Sequence, residues 1–163
     1  MTHLHAALAG VAVAGALSGA LWYLRRRSDY EAAMDLSSGL FTLPSFLAMG
    51  ERLLSLAARR RSTCSLLLVR ALGEPRSAAL HIVRSIRGSD LVGRVGRDEI
   101  ALLLPDTGRE GAKVLFDRLK TTGQVEFIGL SQFPEYGAQC EALLQAARTG
   151  TLPIEATVAP DQP

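Results

Sequence analysis

The stretch Arg87 to Leu104, RGSDLVGRVGRDEIALLL, leaves few choices of local structure. Two alternating apolar runs, Leu91–Val95 and Glu99–Leu104, flank the polar break Gly96-Arg97-Asp98, and that pattern specifies a β-hairpin whose turn projects its side chains out of the sheet. The chain of 163 residues has room for one domain of ordinary size and a short appendage. Its formal net charge of +2 is near balance, which argues against a general nucleic-acid surface. Cys64 and Cys140 have neither metal nor redox spacing and read as reduced, half-buried residues. His3, His5 and His81 are scattered, His81 reads as a boundary residue rather than a ligand, and no internal repeat is present.

Residues Ala6 to Leu24 carry no charge, and the run is about long enough to cross a hydrocarbon core as a helix. Trp22 and Tyr23 fall where an interfacial aromatic belt would sit, and Arg25-Arg26-Arg27 follows at once, which places the C-terminal side in the cytoplasm. A cleaved signal peptide would carry its positive charge before the apolar run, so the order favours an uncleaved anchor. Gly15 and Gly19 have GxxxG spacing, through which two such helices could approach. The expected organisation is therefore an anchor with a basic flank over residues 1–27, a juxtamembrane connector over 28–42, one domain over 43–149 and a disordered tail over 150–163.

Within the domain, apolar residues at helical spacing (Phe46, Leu47, Leu53, Leu54, Ala57) predict a helix over Leu43–Arg61, closed by Arg59-Arg60-Arg61 against its own dipole. Ser65–Val69 reads as a central strand buried on both faces, and Pro75 is well placed to open a helix over Arg76–Ile86. After the hairpin come a helix over Arg109–Lys120, a strand over Val125–Leu130, a turn at Phe133–Gly137 and a last helix over Ala138–Arg148. The order is helix, β-α-β-β-α-β, helix. This is an α+β, ferredoxin-like arrangement, with helices on one face of an antiparallel sheet. Arg87 and Asp90 lie three apart at the helix-to-strand junction. An arginine fork and a carboxylate held together can read two edges of one guanine, the first donating to O6 and N7, the second accepting from N1 and N2. The same spacing also serves helix-end charge placement or a surface ion pair.

Three segments in register resemble the GGDEF domains of the diguanylate cyclase family. Asp35-Leu36-Ser37-Ser38-Gly39-Leu40 with Phe46 is similar to the opening D-x-L-T-G-L-x-N-R-x-x-F. Arg94-Val95-Gly96-Arg97-Asp98-Glu99-Ile100, running on to Pro105, is similar to R-x-G-G-D-E-F-A-x-L-L-P. Ile128-Gly129-Leu130-Ser131 with Phe133, Pro134 and Gly137 is similar to S-I-G-x-A-x-F-P-x-x-G. The resemblance runs from about Asp35 to about Ala147 and implies a domain of this type lacking one helix.

The departures from the family pattern bear on activity. Where the family's first strand ends in a metal-binding aspartate this chain has Arg70, whose guanidinium cannot ligate Mg²⁺ beside Asp98. The helix and loop that recognise the guanine of GTP in the family have no room between Arg70 and the helix opening near Arg76. Arg97 replaces the second signature glycine, and the closing A-L-Y-x-A-K stretch with its phosphate-contacting lysine is not found after Ala147. The signature Gly96, Arg97, Asp98, Glu99, Ile100 is thus degenerate, and the resemblance implies neither catalysis nor a resident metal or cofactor.

One family feature is intact. Arg87-Gly88-Ser89-Asp90 stands five residues before Gly96, the spacing at which the family's R-x-x-D binds cyclic di-GMP, and Arg118 is by position the arginine that completes such a site. The resemblance implies a receptor for cyclic di-GMP; with the anchor it is expected at the inner face of a bacterial cytoplasmic membrane, where the ligand would bridge two copies of the domain or join it to another membrane or signalling protein. The competing expectation is a scaffold that docks proteins without a ligand.

Overall fold

The computed structural model describes residues 33–150. The expected anchor and most of the tail lie outside them, and no helix among the described residues is long and apolar enough to cross a membrane. In chain order the elements are β1 (Phe41–Thr42), α1 (Leu43–Arg60), β2 (Cys64–Ala71), α2 (Pro75–Ser85), β3 (Leu91–Arg94), β4 (Glu99–Pro105), α3 (Arg109–Lys120), β5 (Val125–Phe133) and α4 (Cys140–Arg148). The sheet has the order β1-β3-β4-β2-β5. Its last four strands with α2 and α3 form the expected β-α-β-β-α-β unit, antiparallel throughout.

The helices do not all lie on one face, as the sequence reading had them. Along β2, Leu67 and Val69 face one core with Ala79 and Ile82 of α2 and Leu115 and Leu119 of α3. Leu66 and Leu68 face a second core with Phe46 and Leu54 of α1 and Leu143 and Leu144 of α4. A strand that is apolar at every position needs cover on both faces, and fully burying each leucine is worth about 1.5–3 kcal/mol. The two outer helices provide that second layer. Cys64 and Cys140 lie within it, fully buried rather than half-buried. Burial, with the nearby Glu51 charge adding to it, pushes the Cys140 thiol up to about 12, so it stays protonated and unreactive.

Other differences from expectation are local. Phe41 and Thr42, placed by sequence in the connector, form β1, which runs parallel to β3 in register with Gly93 and Arg94. Leu40 is buried as well, so the chain is packed onto the domain before α1 begins. β5 continues through Ser131 and Gln132 to Phe133, past the expected end at Leu130. Ser131 is accommodated in the interior because its hydroxyl donates to the Leu143 carbonyl at 2.8 Å.

Two glycines set the close approaches that bring the layers together. A Cβ on Gly129 would stand 1.8 Å from the Ala147 carbonyl oxygen, so only glycine lets α4 lie against β5 there. A Cβ on Gly93 would stand 2.7 Å from Phe46, the aromatic plug of α1. β2 passes to α2 through Leu72, Gly73 and Glu74 alone. Pro75 opens α2, and the Glu74 carboxylate accepts from the N–H groups of Arg76 (3.1 Å) and Ser77 (2.7 Å).

Candidate functional site

The signature turn lies between β3 and β4 and is closed by Val95 N–H donating to the Glu99 carbonyl at 3.0 Å. Two of its charged residues, Arg94 and Glu99, are held by residues from elsewhere in the chain. Arg94 donates to the carbonyl oxygens of Gly96 and Arg97 and, across the fold, to Ser37 and to Asp35 Oδ2, the last at 3.1 Å. Asp35 in turn accepts from the Ser38 N–H (2.9 Å), the Ser38 hydroxyl (2.6 Å) and the Ser37 hydroxyl (2.7 Å). Burial opposes the charge on Asp35, but the hydrogen bonds from Ser38, Ser37 and Arg94 outweigh it and hold the carboxyl well below its ordinary value. Arg94 thus ties the segment entering the domain to the turn.

Glu99 is held from the far end of the chain. Arg148, in the last turn of α4, donates to Glu99 Oε2 from Nη2 at 2.8 Å and from Nε at 3.1 Å, and Nη2 also donates to the Val95 carbonyl at 3.0 Å. Gly96 packs against this pair, since a Cβ there would stand 2.8 Å from Glu99 Oε2. Ile100 is buried in the core, while Arg97 and Asp98 are exposed. Arg70 sits opposite Glu99 in the β2–β4 register and pairs with Glu126 of β5 at 2.9 Å.

These residues do not fit a divalent cation. Mg²⁺ calls for several hard oxygen donors at one point. Here Glu99 is engaged by Arg148, a guanidinium occupies position 70, and no group of three or more His, Cys, Asp or Glu that could hold a metal occurs among the described residues.

Arg87, Asp90 and Arg118 line a single cavity of about 490 Å³ between the end of α2, the loop into β3 and the outer face of α3. The loop is shaped by its own aspartate. Asp90 Oδ2 accepts from the Arg87 N–H at 2.8 Å, Oδ1 accepts from the Ser89 hydroxyl at 3.4 Å, and the Asp90 N–H donates back to the Arg87 carbonyl at 3.0 Å. Arg118 reaches across from α3 to donate to the Ser85 carbonyl. That carbonyl lies in the last turn of α2, where a cation is favoured by the helix dipole. The bond brings the Arg118 guanidinium to the loop that carries Arg87. His81 makes a second link between these helices, Nε2 donating to the Leu119 carbonyl at 3.2 Å. Sequence reasoning did not include Arg84 or Thr107, which also line the cavity.

The other side of the same loop borders a more apolar groove of about 560 Å³. Met49, Leu53 and Leu56 of α1 form one wall, and Gly88, Ser89 and Leu91 the other.

Comparison with known proteins places the fold. No protein-family model and no curated protein matches the chain. Among solved structures, the GGDEF domain of TpbB (YfiN) from Pseudomonas aeruginosa is 24% identical, with a TM-score of 0.60 over 72% of this chain and 85% of that one. The coiled coil and GGDEF domain of DgcB from Caulobacter crescentus, in complex with c-di-GMP, is 14% identical, with a TM-score of 0.75 over 86% of this chain and 90% of that one. The diguanylate cyclase SiaD from Pseudomonas aeruginosa, in complex with its activator SiaC, is 18% identical, with a TM-score of 0.56 over 91% of this chain and 72% of that one. The fold of this chain is that of GGDEF domains.

Proposed function

We propose that this chain is a catalytically inactive member of the GGDEF family that serves as a receptor for cyclic di-GMP, held at the cytoplasmic face of a bacterial inner membrane by the apolar segment 6–24. The observation that carries the reading is the convergence of Arg87 and Asp90, from one loop, with Arg118, from α3, on one cavity. In the bound state the Arg87 fork donates to O6 and N7 of a guanine and the Asp90 carboxylate accepts from N1 and N2, while Arg118 completes the site from α3. The hydrogen bond from the Arg87 N–H fixes the Asp90 carboxylate before ligand arrives, so little side-chain freedom is lost on binding. The solved complex of DgcB with c-di-GMP supports the ligand by likeness of fold.

The inactivity reading is supported by the turn. Phosphoryl transfer needs metal, positioning and neutralised phosphate together. Here Arg148 engages Glu99, Arg70 stands opposite Glu99 in the β2–β4 register and pairs with Glu126, and the three-residue connection Leu72–Glu74 leaves no space for a guanine-binding helix. Incubation with GTP and Mg²⁺ or Mn²⁺ is expected to give no cyclic dinucleotide, and accumulation of product would overturn this part of the reading.

The receptor reading is tested by calorimetric titration of the full-length chain with cyclic di-GMP. Binding at micromolar concentration or tighter is expected, with a loss of about a hundredfold in Asp90→Ala and at least about tenfold in Arg87→Ala. No binding by the wild-type chain would favour the second reading, a docking scaffold without ligand. That alternative is favoured by the apolar groove beside α1, where Met49 is 40% exposed. On either reading, anchoring would concentrate the domain at the membrane surface, so that weak contacts with a second copy or another signalling protein suffice.

A further inference from the structure

The cavity beside the Arg87–Asp90 loop holds more positive charge than the family resemblance assigns to it. Arg84, in the last turn of α2, lines it together with Arg87 and Arg118. Against these three arginines stands the single carboxylate of Asp90, a local formal charge of +3 − 1 = +2. Both oxygens of that carboxylate accept from within the loop, and among the described residues it forms no ion pair with any of the three guanidiniums. Arg70, Arg94 and Arg148, by contrast, each face a carboxylate within 3.1 Å.

Two features gather this charge. The C-terminal end of α2 favours a cation at position 84 through the helix dipole, and the Ser85 carbonyl draws Arg118 to the same helix end from α3. Guanidiniums collected around one concavity repel one another when it is empty, and an anion entering it relieves that repulsion. A ligand with two negative charges balances the excess, and cyclic di-GMP carries two phosphodiester charges.

We propose that Arg84 is a ligand-binding residue that meets a phosphate of the dinucleotide, so that the base is read by Arg87 and Asp90 and the phosphate charge is matched by Arg84 with Arg118. The assignment rests on the receptor reading. It sets the specificity of the cavity for a doubly charged cyclic dinucleotide over a singly charged guanine nucleotide.

The test is calorimetric titration of the full-length chain, wild type against Arg84→Gln and Arg84→Lys, with cyclic di-GMP and with 3′,5′-cyclic GMP over a range of salt concentrations. Arg84→Gln is expected to weaken cyclic di-GMP binding about tenfold and to flatten its salt dependence. Cyclic GMP, with the same base and one phosphate charge, is expected to be affected less. Arg84→Lys keeps the charge but loses the fork, so it should retain the salt dependence while losing part of the affinity. It also keeps the cation at the end of α2, which separates a ligand contact from support of the helix. Unchanged affinity and unchanged salt dependence in Arg84→Gln would overturn the assignment and leave the receptor reading intact, whereas a wild-type chain that binds no cyclic di-GMP removes both.

Discussion

The signature turn and the cavity at the opposite end of the same hairpin are both rich in arginine, and they differ in what the arginines face. In and around the turn, Arg94 meets Asp35, Arg148 meets Glu99 and Arg70 meets Glu126. At the cavity, among the described residues, no carboxylate pairs with Arg84, Arg87 or Arg118, and Arg118 donates to the Ser85 carbonyl. Charge that is neutralised within the fold holds the chain together. Charge left uncompensated in a concavity is available to a ligand. On the receptor reading the two ends of the hairpin divide stability from recognition, and substitutions at the turn should be felt in unfolding rather than in binding.

The largest effect on stability is expected from Arg94→Ala, which removes one guanidinium from two backbone carbonyls, a hydroxyl and a carboxylate. A loss of about 2–3 kcal/mol in denaturant unfolding is expected, with the affinity for cyclic di-GMP unchanged. A matching loss of affinity would mean that the two ends are coupled.

A smaller effect, of about 1–2 kcal/mol after allowance for its partial exposure, is expected from the charge on Asp35. The folded state holds this carboxyl below its ordinary value of 3.8, so the contribution is complete above that pH and declines as the pH falls toward the lower folded value. The stability difference between wild type and Asp35→Asn, followed by unfolding from neutral pH into acid, should narrow only below about pH 4. A difference that stays constant into acid would show that the carboxyl acts by shape rather than by charge.

The smallest effect is expected from Arg70→Ala. Its pair with Glu126 is about half exposed on both sides, so no more than about 0.5 kcal/mol should be lost. A larger loss in denaturant unfolding would place Arg70 among the residues that hold the sheet together.

Much of the fold around these two regions could be read before the structure was known. Period-two alternation fixed the hairpin, while resemblance to the GGDEF pattern, through the intervals from Arg87 to Asp90 and from Asp90 to Gly96, marked the loop. Arg118 followed from the same resemblance, through its place on a helix whose limits the apolar pattern gave. The second helical layer was less legible, although its signal was present. Leu66, Leu67, Leu68 and Val69 are consecutive, and a strand with no polar face already requires cover on both sides. β1 has only two residues and was below the length at which alternation can be recognised. Polar Ser131 and Gln132 concealed the end of β5, since burial of the serine depends on a carbonyl twelve residues away. The Arg148–Glu99 pair joins residues 49 apart, and nothing local announces it. Arg84 was masked by a sufficient local reason to be there, since a basic residue in the last turn of a helix needs no other explanation.

Glu74, folded over the opening turn of α2, gives that helix a resident anion. Unengaged N–H groups at a helix start are where the phosphates of a nucleotide settle most readily. A phosphate approaching this one meets donors that are already taken and a negative charge tethered by the chain itself. The brief passage out of β2 thus fills, with the chain's own carboxylate, the place at which a polyphosphate would otherwise dock.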